Sequence, residues 1–225
     1  MPLNYITPYA TSAAAVVAST LLMHMDGADN SASFPDEKSS ITFAASNTRV
    51  KTTDFKFGTA SAYFNGNSYL QGSKVNILGG GDFTLECWIK PAALSGQQTI
   101  FAADYDINLP VRLYMTGAQL VLYLRSSGAN IFGDVPVGTI PNTNWTHIAF
   151  TKVGPIYSIY INGTRTWTAN SAGIFDQTAI KNGPVIGSMS GIYFFTGYMD
   201  EFRVVKGTGV TSGVTYPMPS APYTG

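Results

Sequence analysis

Carboxylates that could work in pairs are scarce in this chain of 225 residues, which has 13 acidic and 13 basic side chains. Hydrolysis of a glycosidic bond requires two carboxyl groups about 5–10 Å apart, and one strand could supply them through the pattern Glu-x-Asp-x-x-Glu. The three glutamates, Glu37, Glu86 and Glu201, do not occur in that pattern. Glu86 and Glu201 could meet across two strands, but Arg203 would keep a nearby carboxylate ionised. We interpret these residues as an ion pair beside the core.

The two histidines are the only imidazole groups available for acid–base chemistry. His147 lies between Trp145 and Ala149 in an apolar run, and His24 lies between two methionines. We interpret both as packed, hydrogen-bonded side chains. The chain has no Gly-x-Ser-x-Gly motif to present a nucleophilic serine, and two histidines with one cysteine are too few for a typical zinc site. We therefore expect that the protein is not an enzyme.

The composition of the chain excludes nucleic acid and membranes as partners. Charged residues make up 12% of the chain and their charges cancel, so the protein lacks the basic surface that holds nucleic acid or an anionic membrane. The apolar stretch 10–23 is too short and too rich in hydroxyl groups to span a bilayer, and no basic residue precedes it as in a signal peptide. Cys87 is the single cysteine, which fits folding in a reducing cytosol without disulfides.

Short runs in which apolar and polar residues alternate begin at Leu21 and continue through the chain. Such alternation indicates half-buried strands, which we predict at residues 83–90, 111–115, 118–125, 145–150, 157–161, 164–168 and 198–205. Asn162-Gly163 between two of these runs predicts a type I′ hairpin turn, and Thr116-Gly117 predicts a second tight hairpin. About ten to thirteen strands without a helical rhythm predict an all-β fold, an antiparallel β-sandwich (jelly roll) of two curved sheets.

We divide the chain into two parts. Residues 1–20 carry no charged side chain and include Tyr5, Ile6 and Tyr9, for which the segment itself offers few apolar partners. We predict that this segment is an N-terminal arm that docks on another subunit through these three side chains. The alternative is an edge strand that closes the same sandwich. Residues 21–225 form the sandwich, with a proline-rich close at 216–219.

Six segments of the chain form a recognisable series. They are Leu-Leu-Met-His-Met-Asp-Gly at 21–27, Phe-Gly-Thr-Ala-Ser-Ala-Tyr-Phe-Asn-Gly at 57–66, Asp-Phe-Thr-Leu-Glu-Cys-Trp-Ile-Lys-Pro at 82–91, Trp-Thr-His-Ile-Ala at 145–149, Tyr-Ile-Asn-Gly at 160–163 and Gly-Tyr-Met-Asp-Glu-Phe-Arg at 197–203. In this order they resemble the laminin-G-like jelly rolls of the concanavalin A-like lectin/glucanase superfamily. The opening segment and the proline-rich close most resemble stand-alone domains of tailed-phage virion proteins. The resemblance implies two curved antiparallel sheets, a structural or glycan-binding role and, in some members, a calcium ion at the rim.

Asp36, Asn65 and Asp200 are the ligands that we predict for such a calcium ion, the one cofactor that we consider. Asp36 follows the first strand, Asn65 lies in a glycine-containing loop and Asp200 lies in the last strand. Hard oxygen ligands from separate loops suit calcium. The alternative is that Asp36 and Asn65 form Asx turns and that Asp200 binds backbone amides at the rim.

Our leading hypothesis is a non-enzymatic structural protein of a phage virion, either a head decoration or a component of the tail or a fibre. Such a protein is made in the host cytoplasm and released on lysis, which reconciles the lack of an export signal with a hydroxyl-rich surface suited to the outside. We expect capsid, tail or sister subunits as partners, a homo-oligomer on the particle, and contacts with host or environmental glycans. The alternative is a free carbohydrate-binding, lectin-like module.

Aromatic side chains in or beside loops are the candidates for stacking on sugar rings. They are Tyr105, Trp167, Tyr193, Phe194 and Phe195. Because most of the aromatic residues of the chain must lie in the core or in interfaces, the sequence alone does not single out which of these rings is exposed.

Overall fold

The computed structural model describes residues 19–103, 111–126, 129–171, 182–189, 191–210 and 213–224. These residues form fifteen β-strands and no helix, so the all-β prediction is confirmed. The strands are β1 Leu21–Met23, β2 Phe43–Ser46, β3 Arg49–Lys51, β4 Ser61–Asn65, β5 Tyr69–Gly72, β6 Phe83–Pro91, β7 Gln97–Ala103, β8 Val111–Thr116, β9 Gln119–Ser126, β10 Ala129–Thr139, β11 Thr146–Val153, β12 Ile156–Ile161, β13 Thr164–Asn170, β14 Val185–Ile186 and β15 Thr196–Lys206.

The predicted number of strands is too low because several strands are too short to show alternation. Strands β1 and β3 have three residues each, and β14 has two. Alternation of apolar and polar residues can be recognised only in runs of about four residues or more. These short strands therefore show no sequence signal, and only their pairing with neighbouring strands defines them.

The strands build two antiparallel sheets. Sheet A has eight strands in the order β13-β12-β11-β6-β15-β4-β3, and β1 pairs with the C-terminal half of β15. Sheet B has seven strands in the order β10-β9-β8-β7-β14-β5-β2. The ring centres of Phe101 from sheet B and Phe202 from sheet A lie 5.7 Å apart in the core between the sheets. The predicted antiparallel sandwich is therefore confirmed.

Strand β6 is buried on both of its sides. Its residues that belong to the core between the sheets are Phe83, Leu85, Cys87 and Ile89. The residues between them are buried as well: Thr84, Glu86 and Trp88. Because β6 lies in the middle of sheet A, between β11 and β15, these outer residues can be buried only by further chain that crosses the sheet.

Both predicted hairpins are present. Asn162 and Gly163 have φ angles of 48° and 78°, the positive values of a type I′ turn, and they join β12 to β13. The second hairpin joins β8 to β9, and its turn lies at Gly117-Ala118. This turn is one residue later than predicted, because Thr116 still pairs with Gln119 in the sheet.

Strand β15 contains a β-bulge between Asp200 and Arg203, where its register with β6 shifts. Glu201 has a φ angle of 50°, a conformation that is uncommon for residues other than glycine. The bulge allows both Met199 and Phe202 to reach the core. Asp200 and Glu201, which lie between them, bind groups outside the core.

The predicted N-terminal arm with Tyr5, Ile6 and Tyr9 lies almost wholly in residues 1–18, outside the described residues, and its docking role stays a prediction. Within the described residues, Thr20 leads into β1 by donating its N–H to the carbonyl of Val204 at 2.8 Å. None of the described residues forms a helix that is long and apolar enough to cross a membrane.

Candidate functional site

The carboxylate of Asp36, a predicted calcium ligand, is occupied by hydrogen-bond donors of the protein itself. Oδ1 accepts bonds from the backbone N–H groups of Leu22 and Lys38, both at 3.0 Å. Oδ2 accepts bonds from the N–H and hydroxyl of Ser40 at 2.8 and 2.6 Å and from the N–H of Ile41 at 3.1 Å. Burial raises the pKa of Asp36, but these bonds outweigh it and hold the pKa below its usual value. Asp36 thus fixes the turn after β1.

Asn65 lies at the end of β4 and forms a local turn. Its Oδ1 accepts a bond from the N–H of Asn67 at 2.9 Å, which is the geometry of an Asx turn. Its own N–H donates to the hydroxyl of Ser68 at 2.9 Å.

Asp200 is fully buried beside the bulge of β15. Its Oδ2 accepts bonds from the N–H groups of Lys56 and Phe57 at 2.8 and 3.1 Å, and its Oδ1 accepts a bond from the N–H of Glu201 at 2.9 Å. Burial raises the pKa of Asp200 to about 8, although the bonds from Phe57 and Lys56 act in the opposite direction. Asp200 therefore anchors the loop between β3 and β4 to the last strand.

These contacts do not fit a calcium site. A carboxylate has about four lone-pair positions, and Asp36 already accepts five hydrogen bonds. Each of the three predicted ligands organises a different segment. No group of three or more His, Cys, Asp or Glu side chains within the described residues is arranged to hold a metal. Calcium binding stays a prediction from the sequence, and the contacts of Asp36 and Asp200 argue against it.

Glu86 is the centre of a buried polar cluster on the outer side of sheet A. Its Oε1 accepts bonds from Nε of Arg203 at 2.8 Å and from Nη2 of the same side chain, and its Oε2 lies 3.1 Å from Nε2 of His147. Burial raises the pKa of Glu86, but the bond to His147 and the charge of Arg203 outweigh it and lower the pKa below its usual value. The predicted ion pair and the packed histidine are confirmed, whereas Glu201 binds His24 at 2.8 Å.

The C-terminal segment 213–224 covers this cluster with two tyrosines. The hydroxyl of Tyr223 lies 3.1 Å from Nε2 of His147, and its ring centre lies 4.0 Å from Cζ of Arg203. The rings of Tyr216 and His147 have centres 5.5 Å apart. Both tyrosines are buried, so sheet A is closed to ligands here. Sequence reasoning missed their role, although two large rings in a short proline-rich segment are a signal of burial.

The outer side of sheet B has Arg112 of β8 at its centre. Arg112 and Tyr114 alternate with core residues of the strand and therefore face outward. The Cζ atom of Arg112 lies 3.9 Å from the ring centre of Tyr114 and 5.0 Å from that of Tyr193. Nε and Nη2 both donate to the hydroxyl oxygen of Thr99, at 3.3 and 3.2 Å. The guanidinium group is therefore held in one orientation.

Polar groups of β9 and β10 surround this arginine. The hydroxyl of Tyr114 donates to Oδ1 of Asp134 at 2.8 Å, and that of Tyr123 donates to Oδ1 of Asn130 at 3.2 Å. Burial, together with the bond to Asp134, raises the pKa of Tyr114 to about 12. Burial lowers the pKa of Arg112, against the opposing effect of nearby Tyr114 and Asp134. We call this surface the sheet B patch and define it as Arg112, Tyr114, Tyr123, Asn130, Asp134 and Tyr193.

Of the five aromatic residues that the sequence offers for stacking on a sugar, Tyr193 is the only one with an exposed ring among the described residues. Tyr193 is 42% exposed. Phe195 is fully buried in the core, and Phe194 and Trp167 are half-buried. Tyr105 lies outside the described residues. The sheet B patch thus combines the exposed ring of Tyr193 with fixed polar groups.

An open cleft of about 710 Å³ lies elsewhere, beside β2. It is lined by Ser31, Ala32, Ser33, Phe34, Pro35, Asp36, Ser39, Ile41, Thr42 and Phe43. Its two aromatic rings, Phe34 and Phe43, are buried, and the oxygens of Asp36 are bound as described above. The cleft therefore presents hydroxyl groups but no exposed ring.

Comparisons with known proteins agree with this architecture. The family model of the concanavalin A-like lectin/glucanases superfamily matches residues 64–208. No curated protein sequence matches the chain significantly.

Similar solved structures are found at low sequence identity. Domain 4 of AbnA, a GH43 extracellular arabinanase from Geobacillus stearothermophilus solved in complex with arabinotriose, has a TM-score of 0.68 at 20% identity, over 87% of this chain and 95% of that one. The botulinum neurotoxin serotype G binding domain has a TM-score of 0.61 at 14% identity over 83% of this chain, which spans only 47% of the toxin domain. The CBM40 of the Ruminococcus gnavus IT-sialidase, bound to α2,3-sialyllactose, has a TM-score of 0.50 at 16% identity over 60% and 80% of the two chains.

At these identities the structural likeness shows the fold alone, while the family match rests on the sequence itself. The matched region runs from β4 to just beyond the end of β15 and so includes strands of both sheets and the whole sheet B patch. It covers more than half of the chain, and the chain therefore belongs to the concanavalin A-like lectin/glucanases superfamily.

Proposed function

We propose that this protein is a carbohydrate-binding module and that it holds a saccharide on the sheet B patch. The observation that carries the proposal is the exposed ring of Tyr193 beside Arg112 and the exposed Asp134. A sugar ring presents an apolar face with C–H groups and an edge with hydroxyl groups. Its binding sites accordingly combine an aromatic surface with a few fixed hydrogen-bonding groups.

The groups of the patch are held in place before a ligand arrives. Thr99 and Tyr114 fix Arg112, and the hydroxyl of Tyr114 fixes Asp134. Fixed side chains lose little conformational entropy on binding, which raises affinity. The outer side of sheet A near Glu86 lies under the C-terminal segment, and the cleft beside β2 has no exposed ring. The sheet B patch is therefore the surface best suited to a sugar among the described residues.

Two of the similar structures contain saccharides: arabinotriose with the arabinanase domain and α2,3-sialyllactose with the CBM40 domain. They support the proposal as analogies, because one fold can serve many functions. Binding without hydrolysis is part of the proposal, since Glu86 is neutralised by Arg203 and bound to His147.

A place on a phage particle is a separate proposal that rests on the sequence resemblance alone. It is compatible with glycan binding, since many copies on one particle would strengthen weak individual contacts through avidity. Mass spectrometry of purified particles that encode this chain tests it, and absence of the chain from intact particles would overturn it.

A glycan array followed by titration calorimetry tests carbohydrate binding. We expect Tyr193→Ala to weaken binding of the best saccharide about tenfold or more, which is about 1.4 kcal/mol. Phe55→Ala is the matched control, because Phe55 is 41% exposed in the loop between β3 and β4, and it should bind like the native protein. Failure of the native protein to bind any saccharide would overturn the proposal. Equal affinities of the native protein and Tyr193→Ala would overturn the location.

A further inference from the structure

We propose that the saccharide held on the sheet B patch carries a carboxylate and that Arg112 receives this group. The inference rests on the proposed function and names the class of ligand for the same surface. Uronic acids and sialic acids share the chemistry, a carboxylate attached to a sugar ring.

Contacts within the protein occupy one edge of the Arg112 guanidinium group and place the group over two tyrosine rings. Its Cζ atom lies 3.9 Å from the ring centre of Tyr114 and 5.0 Å from that of Tyr193. The edge formed by Nε and Nη2 donates to the single oxygen of Thr99. The edge formed by Nη1 and the second hydrogen of Nη2 remains. This edge has the parallel pair of N–H groups that binds both oxygens of a carboxylate.

The remaining edge is not completely enclosed. Arg112 as a residue is 7% exposed, and its Nη1, which makes no hydrogen bond to the described residues, does not belong to their fully buried, unpartnered polar atoms. A ligand group on the surface of sheet B can therefore contact Nη1.

Among the described residues, Arg112 has no partner in a direct ion pair. No carboxylate of the described residues lies within 4 Å of its nitrogens. The carboxylate of Asp134 acts on the pKa of Arg112 from further away, and its Oδ1 is already bound by the hydroxyl of Tyr114. A charge that is largely removed from water is costly unless a partner compensates it. An anionic ligand would supply that partner.

The loop that carries Tyr193 is positioned for the sugar ring of such a ligand. The carbonyl of Tyr193 accepts a bond from the N–H of Thr99 at 2.8 Å, so the same residue fixes both the arginine and the loop. Tyr193 has a φ angle of 53°, a strained value for a tyrosine that surrounding contacts must maintain. Its exposed ring lies beside the guanidinium group of Arg112, so a carboxylate and its sugar ring can be bound together there.

Calorimetry with matched pairs of saccharides tests the ligand class on the native chain. The probes are oligogalacturonides against neutral galacto-oligosaccharides, hyaluronan oligosaccharides against their carboxyl-reduced forms, and α2,3-sialyllactose against lactose. We expect one acidic member to bind at least about tenfold more tightly than its neutral partner, and the pair concerned distinguishes uronic from sialic acid. We also expect the affinity to fall with rising salt, because the contact is between charges.

Two substitutions locate the effect. Arg112→Gln removes the charge and should abolish the preference for the acidic member, whereas Arg112→Lys keeps the charge, loses the paired N–H groups and should retain a small preference. Arg49→Gln in sheet A is the matched control and should change nothing. If Arg112→Gln fails to fold, as judged by circular dichroism, the carboxyl-reduced probes still decide the question with the native protein.

The outcomes separate this inference from the proposed function. Equal binding of acidic and neutral members, with loss of both in Tyr193→Ala, overturns the ligand class and leaves carbohydrate binding intact. Binding of no saccharide at all overturns both. An acidic preference that survives in Arg112→Gln overturns the role of this arginine.

Discussion

The hydroxyl of Tyr223 lies 3.1 Å from Nε2 of His147, although the two residues are 76 positions apart in the chain. Two further contacts hold the same tyrosine: its ring centre lies 4.0 Å from Cζ of Arg203, and its N–H donates to Oε2 of Glu201 at 3.0 Å. Tyr223 is only 7% exposed. The C-terminal segment is thus part of the fold, and it closes the side of sheet A that carries Glu86.

Tyr223→Phe should destabilise the protein by about 1–3 kcal/mol, because it removes a buried partner of His147. Tyr216→Phe is the matched control, since the Tyr216 hydroxyl is buried without a hydrogen-bond partner in the described part of the chain. Its removal should cost less stability than removal of the Tyr223 hydroxyl. Urea denaturation of both variants measures the difference, and equal effects would contradict this account of the cluster.

Asp36→Asn should cost about 3 kcal/mol or more. The new amide nitrogen cannot accept hydrogen bonds. It would face either the three donors that now bind Oδ2 or, after rotation of the side chain, the two donors that bind Oδ1. Two or three lost buried hydrogen bonds cost about 3 kcal/mol or more. Asp29→Asn, at an exposed position, should cost less than about 0.5 kcal/mol. Thermal and urea denaturation compare the two, and a similar small loss in both would refute the anchoring role of Asp36.

Asp200 should make stability fall as pH rises from about 5 to 8. Its pKa is raised to about 8 in the folded chain from about 3.9 in an unfolded one, so the folded state keeps a proton that the unfolded state has released. The free energy of unfolding then decreases by at most about 1.4 kcal/mol per pH unit across this window. Asp200→Asn should flatten the slope, and an unchanged slope in the variant would exclude Asp200 as its source.

Below about pH 4, a further fall in pH should lower the stability of the folded protein. The pKa values of Asp36 and Glu86 are lowered in the folded state, so both carboxylates stabilise the fold above their unfolded pKa, and this contribution is lost as pH falls through the folded values. Stability should therefore be greatest at about pH 4–5. Melting temperatures across the pH range, at constant ionic strength, locate the maximum.

Chelation should leave the melting temperature unchanged. A bound metal raises apparent stability by mass action, but the oxygens of Asp36 and Asp200 are already bound by backbone N–H groups. Melting curves with excess chelator and with millimolar calcium provide the test. A rise of several degrees with calcium would restore the predicted site.

Several parts of the fold could be predicted from the sequence because their signals are local. The alternation in 83–90 and 120–125 specified β6 and β9, since successive side chains of a strand point to opposite sides of the sheet. Asn162-Gly163 specified a hairpin, since both residues accept a positive φ angle. The scarcity of glutamates and the presence of Arg203 near Glu201 were enough to predict an ion pair in place of a catalytic pair.

The partners of these elements were decided only by the tertiary structure. Arg203 binds Glu86 across 117 residues of chain, and the sheet B patch joins β8, β9 and β10 to the loop around Tyr193. Alternation predicts on which side of its sheet a residue lies. It does not predict which strand lies beside that residue or which segment covers it, because strand order depends on the path of the loops and on packing of the two sheets. For the same reason the sequence offered several loop aromatics as sugar-binding candidates, whereas the fold buried Phe195, half-buried Phe194 and left the ring of Tyr193 exposed beside Arg112.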